Sequence, residues 1–166
     1  MTVAYIGLGS NMGDKLGYIQ QANMLLKDSE GVRVVGSSSL YETKPYGNPN
    51  QEWFLNAVLE LDTSLSARDL LVVCQGIELR LDRVRDNVEK WGPRTIDLDI
   101  LFYGDDIIST EELQIPHNEV HRRAFVLVPM KELNPCFIHP AIGISVQELY
   151  NSLVEPEEVY LYGTRV

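Results

Sequence analysis

Basic residues are scarce in this chain. Fourteen lysines and arginines stand against 24 aspartates and glutamates, a formal net charge of −10. That balance excludes a general nucleic-acid binder, which needs a basic surface, and opposes docking on anionic membranes. It does not exclude a small anionic ligand, because a local arginine cluster overrides the global sign. Cysteines number two, Cys74 and Cys136, with no CxxC or zinc spacing, which leaves no disulfide framework or zinc site to read. Cys74 falls on the apolar side of a predicted helix, where a buried thiol is expected. No apolar run reaches the length of a membrane span. The start, MTVAYIGLGSNMGD, lacks a basic segment followed by an apolar one, so no secretory leader is expected. These absences predict a reduced, cytoplasmic protein. Internal repeats and low-complexity linkers are also missing, and 166 residues with 45% hydrophobic composition predict one domain, 1–166, with a core of its own.

The patterning supplies the rest. Residues 2–9 read as a strand, and GLGSN after it as a tight turn and helix cap, since it lacks both G-x-G-x-x-G and a Walker-A lysine. Asn11 or Asp14 is placed to cap a helix that runs to about Asp28 and ends at Gly31. Residues 32–41 read as a second strand, 42–51 as a loop broken by Pro45, Gly47 and Pro49, and 52–62 as a third strand with Trp53, Leu55, Ala57, Leu59 and Leu61 on one face. Ser66 and Asp69 open a second helix that buries Leu70, Val73, Cys74, Ile77 and Leu81. Residues 82–95 are polar and basic and read as a loop. A fourth strand follows, with Ile96, Leu98, Ile100 and Phe102 alternating. The order β-α-β-β-α-β predicts an α+β, ferredoxin-like fold: an antiparallel sheet with both helices on one face, and additions beyond residue 104.

That fourth strand carries an anomaly. Asp97 and Asp99 interrupt an otherwise apolar run, and i, i+2 spacing puts both on one face of a strand. Strand parity sets them on the side away from the helices, together with Phe54 and Asn56. Two parallel carboxylates suit Mg²⁺, which takes carboxylate oxygens and leaves positions for substrate phosphates; a solvated face or ion pairing to arginines is the other reading. Arg80, Arg83, Arg85, Lys90 and Arg94 lead into the pair, and His117, Arg122 and Arg123 follow it. Carboxylates for a cation beside guanidinium groups for phosphate oxygens are the parts of a metal–polyphosphate site. Phe54 and Phe125 are placed to sandwich a flat ring, with Asn56 reading its edge, or else belong to the core. Trp91 lies in the polar loop next to Gly92-Pro93, which suits a mobile lid. His117 is either structural or part of the phosphate site.

The segments GLGSNMGD, YETKPYG, FLNAV, RVRD…KWGPRTIDLDI and PHNEVHRRAF, in that order, resemble the 6-hydroxymethyl-7,8-dihydropterin pyrophosphokinase family of folate biosynthesis. The resemblance spans most of the chain and loosens past about residue 145. It implies transfer of the diphosphate of ATP to the pterin's hydroxymethyl group, with release of AMP. Carried over by position, it implies that Asp97 and Asp99 hold two Mg²⁺ ions and that Arg83 and Arg94 grip phosphates. Trp91, Gln75, Glu78, Ile100, His117, Arg122 and Arg123 match or adjoin ATP positions. Phe54, Phe125 and Asn56 take the pterin, helped by Thr43, Lys44 and Tyr46. The implied partners are the two small molecules, with no nucleic acid and no membrane, and a monomer is the expected working unit. Two alternatives stand beside this reading: another Mg²⁺-dependent nucleotidyl or phosphoryl transferase, and a non-catalytic ferredoxin-like binding module.

Overall fold

The computed structural model describes residues 1–45, 50–81 and 95–166. Strand β1 (Thr2–Ser10) leads through a turn to helix α1 (Lys15–Lys27), and β2 (Val32–Ser37) and β3 (Leu40–Thr43) follow. Strand β4 (Phe54–Thr63), helix α2 (Ala67–Arg80) and β5 (Asp97–Tyr103) complete the expected series. Beyond it come a small ribbon, β6 (Ile108–Ser109) with β7 (Gln114–Ile115), a 3-10 turn (Val120–Arg122), α3 (Ala124–Leu133), α4 (Val146–Asn151) and β8 (Val159–Gly163).

The main sheet runs β5-β1-β4-β3-β8, with β2 also pairing with β4. Each of these pairings is antiparallel. The central position of β1 and β4 explains their composition. Both are covered on two sides, so Ala4, Tyr5, Ile6, Leu8, Leu55, Ala57, Val58, Leu59 and Leu61 are all buried. The segment read as one strand over 32–41 is two, β2 and β3, both laid along β4.

Helix α1 starts where Asp14 accepts a hydrogen bond from Gly17 N at 3.0 Å, and α2 where the Ser66 side chain accepts from Asp69 N at 3.1 Å. Both helices pack on one sheet face. Ile19, Ala22, Leu26, Leu70, Cys74 and Ile77 meet Ile6, Leu8, Leu55, Ala57, Leu98 and Ile100. Full burial of each such aliphatic side chain contributes about 1.5–3 kcal/mol. The additions after β5 fill the far half of the opposite face. There Leu127 and Met130 of α3, and Val146 and Leu149 of α4, pack with Tyr5, Val58, Leu101 and Phe102.

Three local expectations change. Gly7, Gly9 and Ser10 are not a turn but the continuation of β1, and the turn comes at Gly13, whose φ is +69°. Trp53 lies before β4, 37% exposed, and stacks on Tyr160 with ring centroids 5.8 Å apart. Its place in the sequence alternation does not carry it into the core because the strand starts one residue later. Phe102 does not share a face with Ile100. The β1–β5 register shifts between Tyr5 and Ile6, which leaves Leu101 as an extra residue. This bulge turns Phe102 to the α3 side.

Candidate functional site

Two glycines of β1 stand on the face that carries the aspartates. In the register, Gly9 lies opposite both Asn56 of β4 and Asp97 of β5, and Gly7 lies opposite both Val58 and Asp99. Leu8, between them, points into the helix-side core. The central strand therefore raises no side chain between the carboxylates on one flank and Asn56 on the other. Those flanks are two strand spacings apart, about 10 Å. The missing side chains let neighbours come in close: Gly9 is buried, with Asn56 Oδ1 3.1 Å from where its Cβ would stand, and a Leu101 side-chain carbon lies 3.4 Å from that point on Gly7.

Strand β5 is the sheet edge, and its outward backbone groups need partners. Glu78, in the last turn of α2 and only 2% exposed, accepts from Leu98 N at 3.0 Å. His117 N donates to Leu101 O at 3.0 Å. These bonds pin the strand around the two aspartates, which themselves remain half-buried (Asp97) and exposed (Asp99). The His117 Nδ1 accepts from Glu119 N at 3.2 Å, so the ring proton sits on Nε2. Burial pushes the His117 pKa down, against the opposing pull of Glu119 and Asp97. Asp97 thus lies within electrostatic reach of the His117 ring.

On the other flank Asn56, 6% exposed, donates from Nδ2 to Thr43 Oγ1 at 2.8 Å. That bond fixes the amide's orientation and turns Oδ1 toward Gly9, where an added Cβ would stand 3.1 Å away. Phe54 heads β4 on the same strand face as Asn56. Phe125 stands in the first turn of α3, packed against the second core, and its N–H donates to Glu157 Oε1 at 3.0 Å. Lys44 is exposed and lies over the Trp53 ring, 5.8 Å from its centroid.

Arg122 and Arg123 share one carboxylate. Arg122 Nε lies 2.9 Å from Glu119 Oε2 and Arg123 Nε 3.3 Å from the same atom. The Arg122 pair is solvent-exposed and worth about 1 kcal/mol or less, so a polyanion can redirect it. Gln75 is exposed on α2, and Ile100 is buried on the helix side of β5. Tyr46, Arg83, Trp91 and Arg94 lie outside the described residues. No cluster of three or more His, Cys, Asp or Glu side chains forms a metal cage among the described residues. The donor set is instead two parallel carboxylates, which suits Mg²⁺ completed by phosphate oxygens and water. The close approach of Asn56 to Gly9 and the Glu157 bond escape motif reading.

The fold places the chain in a class. A crystal structure titled as HPPK-DHPS in complex with substrates superposes with a TM-score of 0.72 at 15% identity, over 91% of this chain and 43% of that one. A Plasmodium falciparum HPPK-DHPS structure with pteroate gives 0.73 at 17%, over 90% and 42%. At such identities the likeness concerns the fold alone, and this chain spans less than half of those two-function chains. The sequence goes further. The 7,8-dihydro-6-hydroxymethylpterin-pyrophosphokinase (HPPK) family matches residues 5–135, and the chain belongs to that family. A 2-amino-4-hydroxy-6-hydroxymethyldihydropteridine pyrophosphokinase of Methylorubrum extorquens is 49% identical over 135 residues, 81% of this chain and 84% of that protein. The Bacillus subtilis protein of the same description is 47% identical over 131 residues, 79% and 77%.

Proposed function

We propose that this chain transfers the diphosphate of ATP to the hydroxymethyl group of 6-hydroxymethyl-7,8-dihydropterin, releasing AMP, as a single domain spanning 1–166. The observation that carries the reading is the register of one sheet face, which sets Asp97 and Asp99 on one side of Gly7 and Gly9 and the Thr43-held Asn56 on the other. Family membership supports it. The pterin lies over the Asn56 flank, its ring edge hydrogen-bonded by the Asn56 amide and its faces covered by Phe54 and Phe125. Thr43 sets the amide's direction and Lys44 borders the same end, and the family resemblance assigns Tyr46 to the pterin as well.

The triphosphate lies over the aspartates. Asp97 and Asp99 would hold two Mg²⁺ ions there, which when bound neutralise phosphate charge and lower the pKa of the attacking hydroxyl. The family resemblance assigns Arg83 and Arg94 to the phosphate oxygens and Trp91 to the nucleotide. Arg122 and Arg123 turn from Glu119 toward the nucleotide, and neutral His117 offers its Nε2 proton as a hydrogen-bond donor. Gln75 and the β5 backbone at Ile100 border the nucleotide, while Glu78 acts from behind by holding Leu98 N. In-line attack on the β-phosphorus then depends chiefly on alignment and charge, which rigid strands and fixed cations provide. Among the described residues no helix is long and apolar enough to cross a membrane. The proposed place of work, the cytoplasm, rests on the family reading.

The test is AMP release from ATP and Mg²⁺, with and without the pterin, in wild type and Asp97→Ala. AMP is expected only with the pterin, with a loss of at least ~10³-fold in Asp97→Ala, the scale of removing a charge-stabilising group in phosphoryl transfer. ATP binding without pterin-dependent AMP would point to a different acceptor and refute the assignment.

A further inference from the structure

The segment that ends in β8 lies beyond residue 135, where the family match stops, yet it touches one wall of the proposed pterin pocket, Phe125, and the neighbours of the rest, Trp53 and Thr43. Its first contact is with α3. That helix has Arg123 at its N-cap, a residue that makes no side-chain cap bond. The N–H groups of the first helical turn have no partner within the helix and need an outside acceptor. Glu157 supplies one: its Oε1 accepts from Phe125 N at 3.0 Å, across 32 residues of sequence. A carboxylate at a helix N-terminus also meets the favourable end of the helix dipole.

The second contact is Tyr160, whose ring stacks on Trp53 with centroids 5.8 Å apart and an interplanar angle of 28°. Trp53 immediately precedes Phe54, the first residue of β4. The third is the strand itself. β8 pairs with β3 so that Val159 lies opposite Thr43, and Thr43 is the residue that orients Asn56. Three residues of one segment, Glu157, Val159 and Tyr160, thus hold Phe125, the neighbour of Phe54 and the amide's anchor. The core does not require these ties. Tyr160, Leu161 and Tyr162 are 44%, 70% and 52% exposed.

We propose that residues 157–160 form a positioning strap for the pterin pocket: Glu157 sets the place of Phe125, and Tyr160 sets that of Trp53 and hence Phe54. The proposal rests on the pterin reading of the site. Neither residue touches the pterin; each acts through a wall residue. The strap therefore governs pterin affinity and leaves the phosphate chemistry at Asp97 and Asp99 alone.

The experiment measures kcat and the KM values for 6-hydroxymethyl-7,8-dihydropterin and ATP in wild type, Glu157→Ala, Glu157→Gln, Tyr160→Ala and Phe125→Ala, with thermal unfolding of each. Expected are a rise of about fivefold in pterin KM for Glu157→Ala and about threefold for Tyr160→Ala. The ATP KM and kcat stay within about twofold. Glu157→Gln restores the pterin KM, because its carboxamide oxygen still accepts from Phe125 N. Tyr160 is surface-exposed, so its variant folds even if Glu157→Ala does not. A pterin KM that rises in Phe125→Ala but in neither strap variant overturns the strap while the pocket assignment stands. A pterin KM unmoved by Phe125→Ala overturns both.

Discussion

Gly9→Ala separates stability from function at the centre of the site. The new methyl would stand 3.1 Å from Asn56 Oδ1 and 3.8 Å from Phe54 Cδ1. The first distance is about 0.3 Å inside ordinary carbon–oxygen contact, so the amide must give way. It cannot do so freely, since its Nδ2 is tied to Thr43 Oγ1 at 2.8 Å and the residue is almost fully buried. Turning Asn56 away strains that bond and moves Oδ1 from the direction it offers a ligand. One neutral hydrogen bond is worth about 0.5–1.5 kcal/mol, so the pterin KM should rise by about two- to thirteenfold. Stability moves differently. Alanine restricts the unfolded chain and gains about 0.4–1 kcal/mol, while mild overpacking costs about 1 kcal/mol or more. The two nearly cancel, and the unfolding midpoint should shift by no more than a few degrees. Both neighbours of the methyl belong to β4, so kcat at saturating pterin should hold within about threefold. The assay is steady-state AMP formation against pterin concentration, paired with thermal unfolding. A folded variant with unchanged pterin KM, or one in which only kcat falls, would refute the reasoning.

Two further outcomes follow from buried titratable groups. Glu78→Ala leaves Leu98 N without the carboxylate that accepts from it; the expected cost is about 1–3 kcal/mol, read as a lower denaturant midpoint, and activity should fall with it because Asp97 and Asp99 flank that residue. An unchanged midpoint would show that Glu78 does not hold the strand. His139 is buried, its Nδ1 accepts from Ala141 N and Ile142 N, and its pKa is lowered by burial first and by His121 second. Since the unfolded chain protonates below pH ~6.5 and the folded one resists, stability should be level above that pH. It should decline as the pH falls through 6.5 toward the lower folded value. His117 pulls the same way. The measurement is urea unfolding from pH 8 to 5 in wild type and His139→Gln, and a decline equally steep in both would remove His139 as a cause.

What the sequence alone determined was everything that depends on period and order. The 2-residue alternation of β4 and the 3–4 spacing of α2 placed their apolar faces, and the order of elements set the antiparallel sheet with α1 and α2 on one side. The i, i+2 spacing of Asp97 and Asp99 put both carboxylates on one strand face before any contact was known. Only the tertiary structure decided what depends on non-local pairing. The bulge at Leu101 turns Phe102 over, because register is settled between strands and not within one. Gly7 and Gly9 separate the aspartates from Asn56 because β1 falls between β4 and β5, a neighbour relation that no local window contains. Glu78 meets Leu98 across 20 residues, and Glu157 reaches Phe125 across 32. Each of these is a polar group finding its partner after the chain has closed on itself, where an unpaired donor or acceptor costs more than an exposed one.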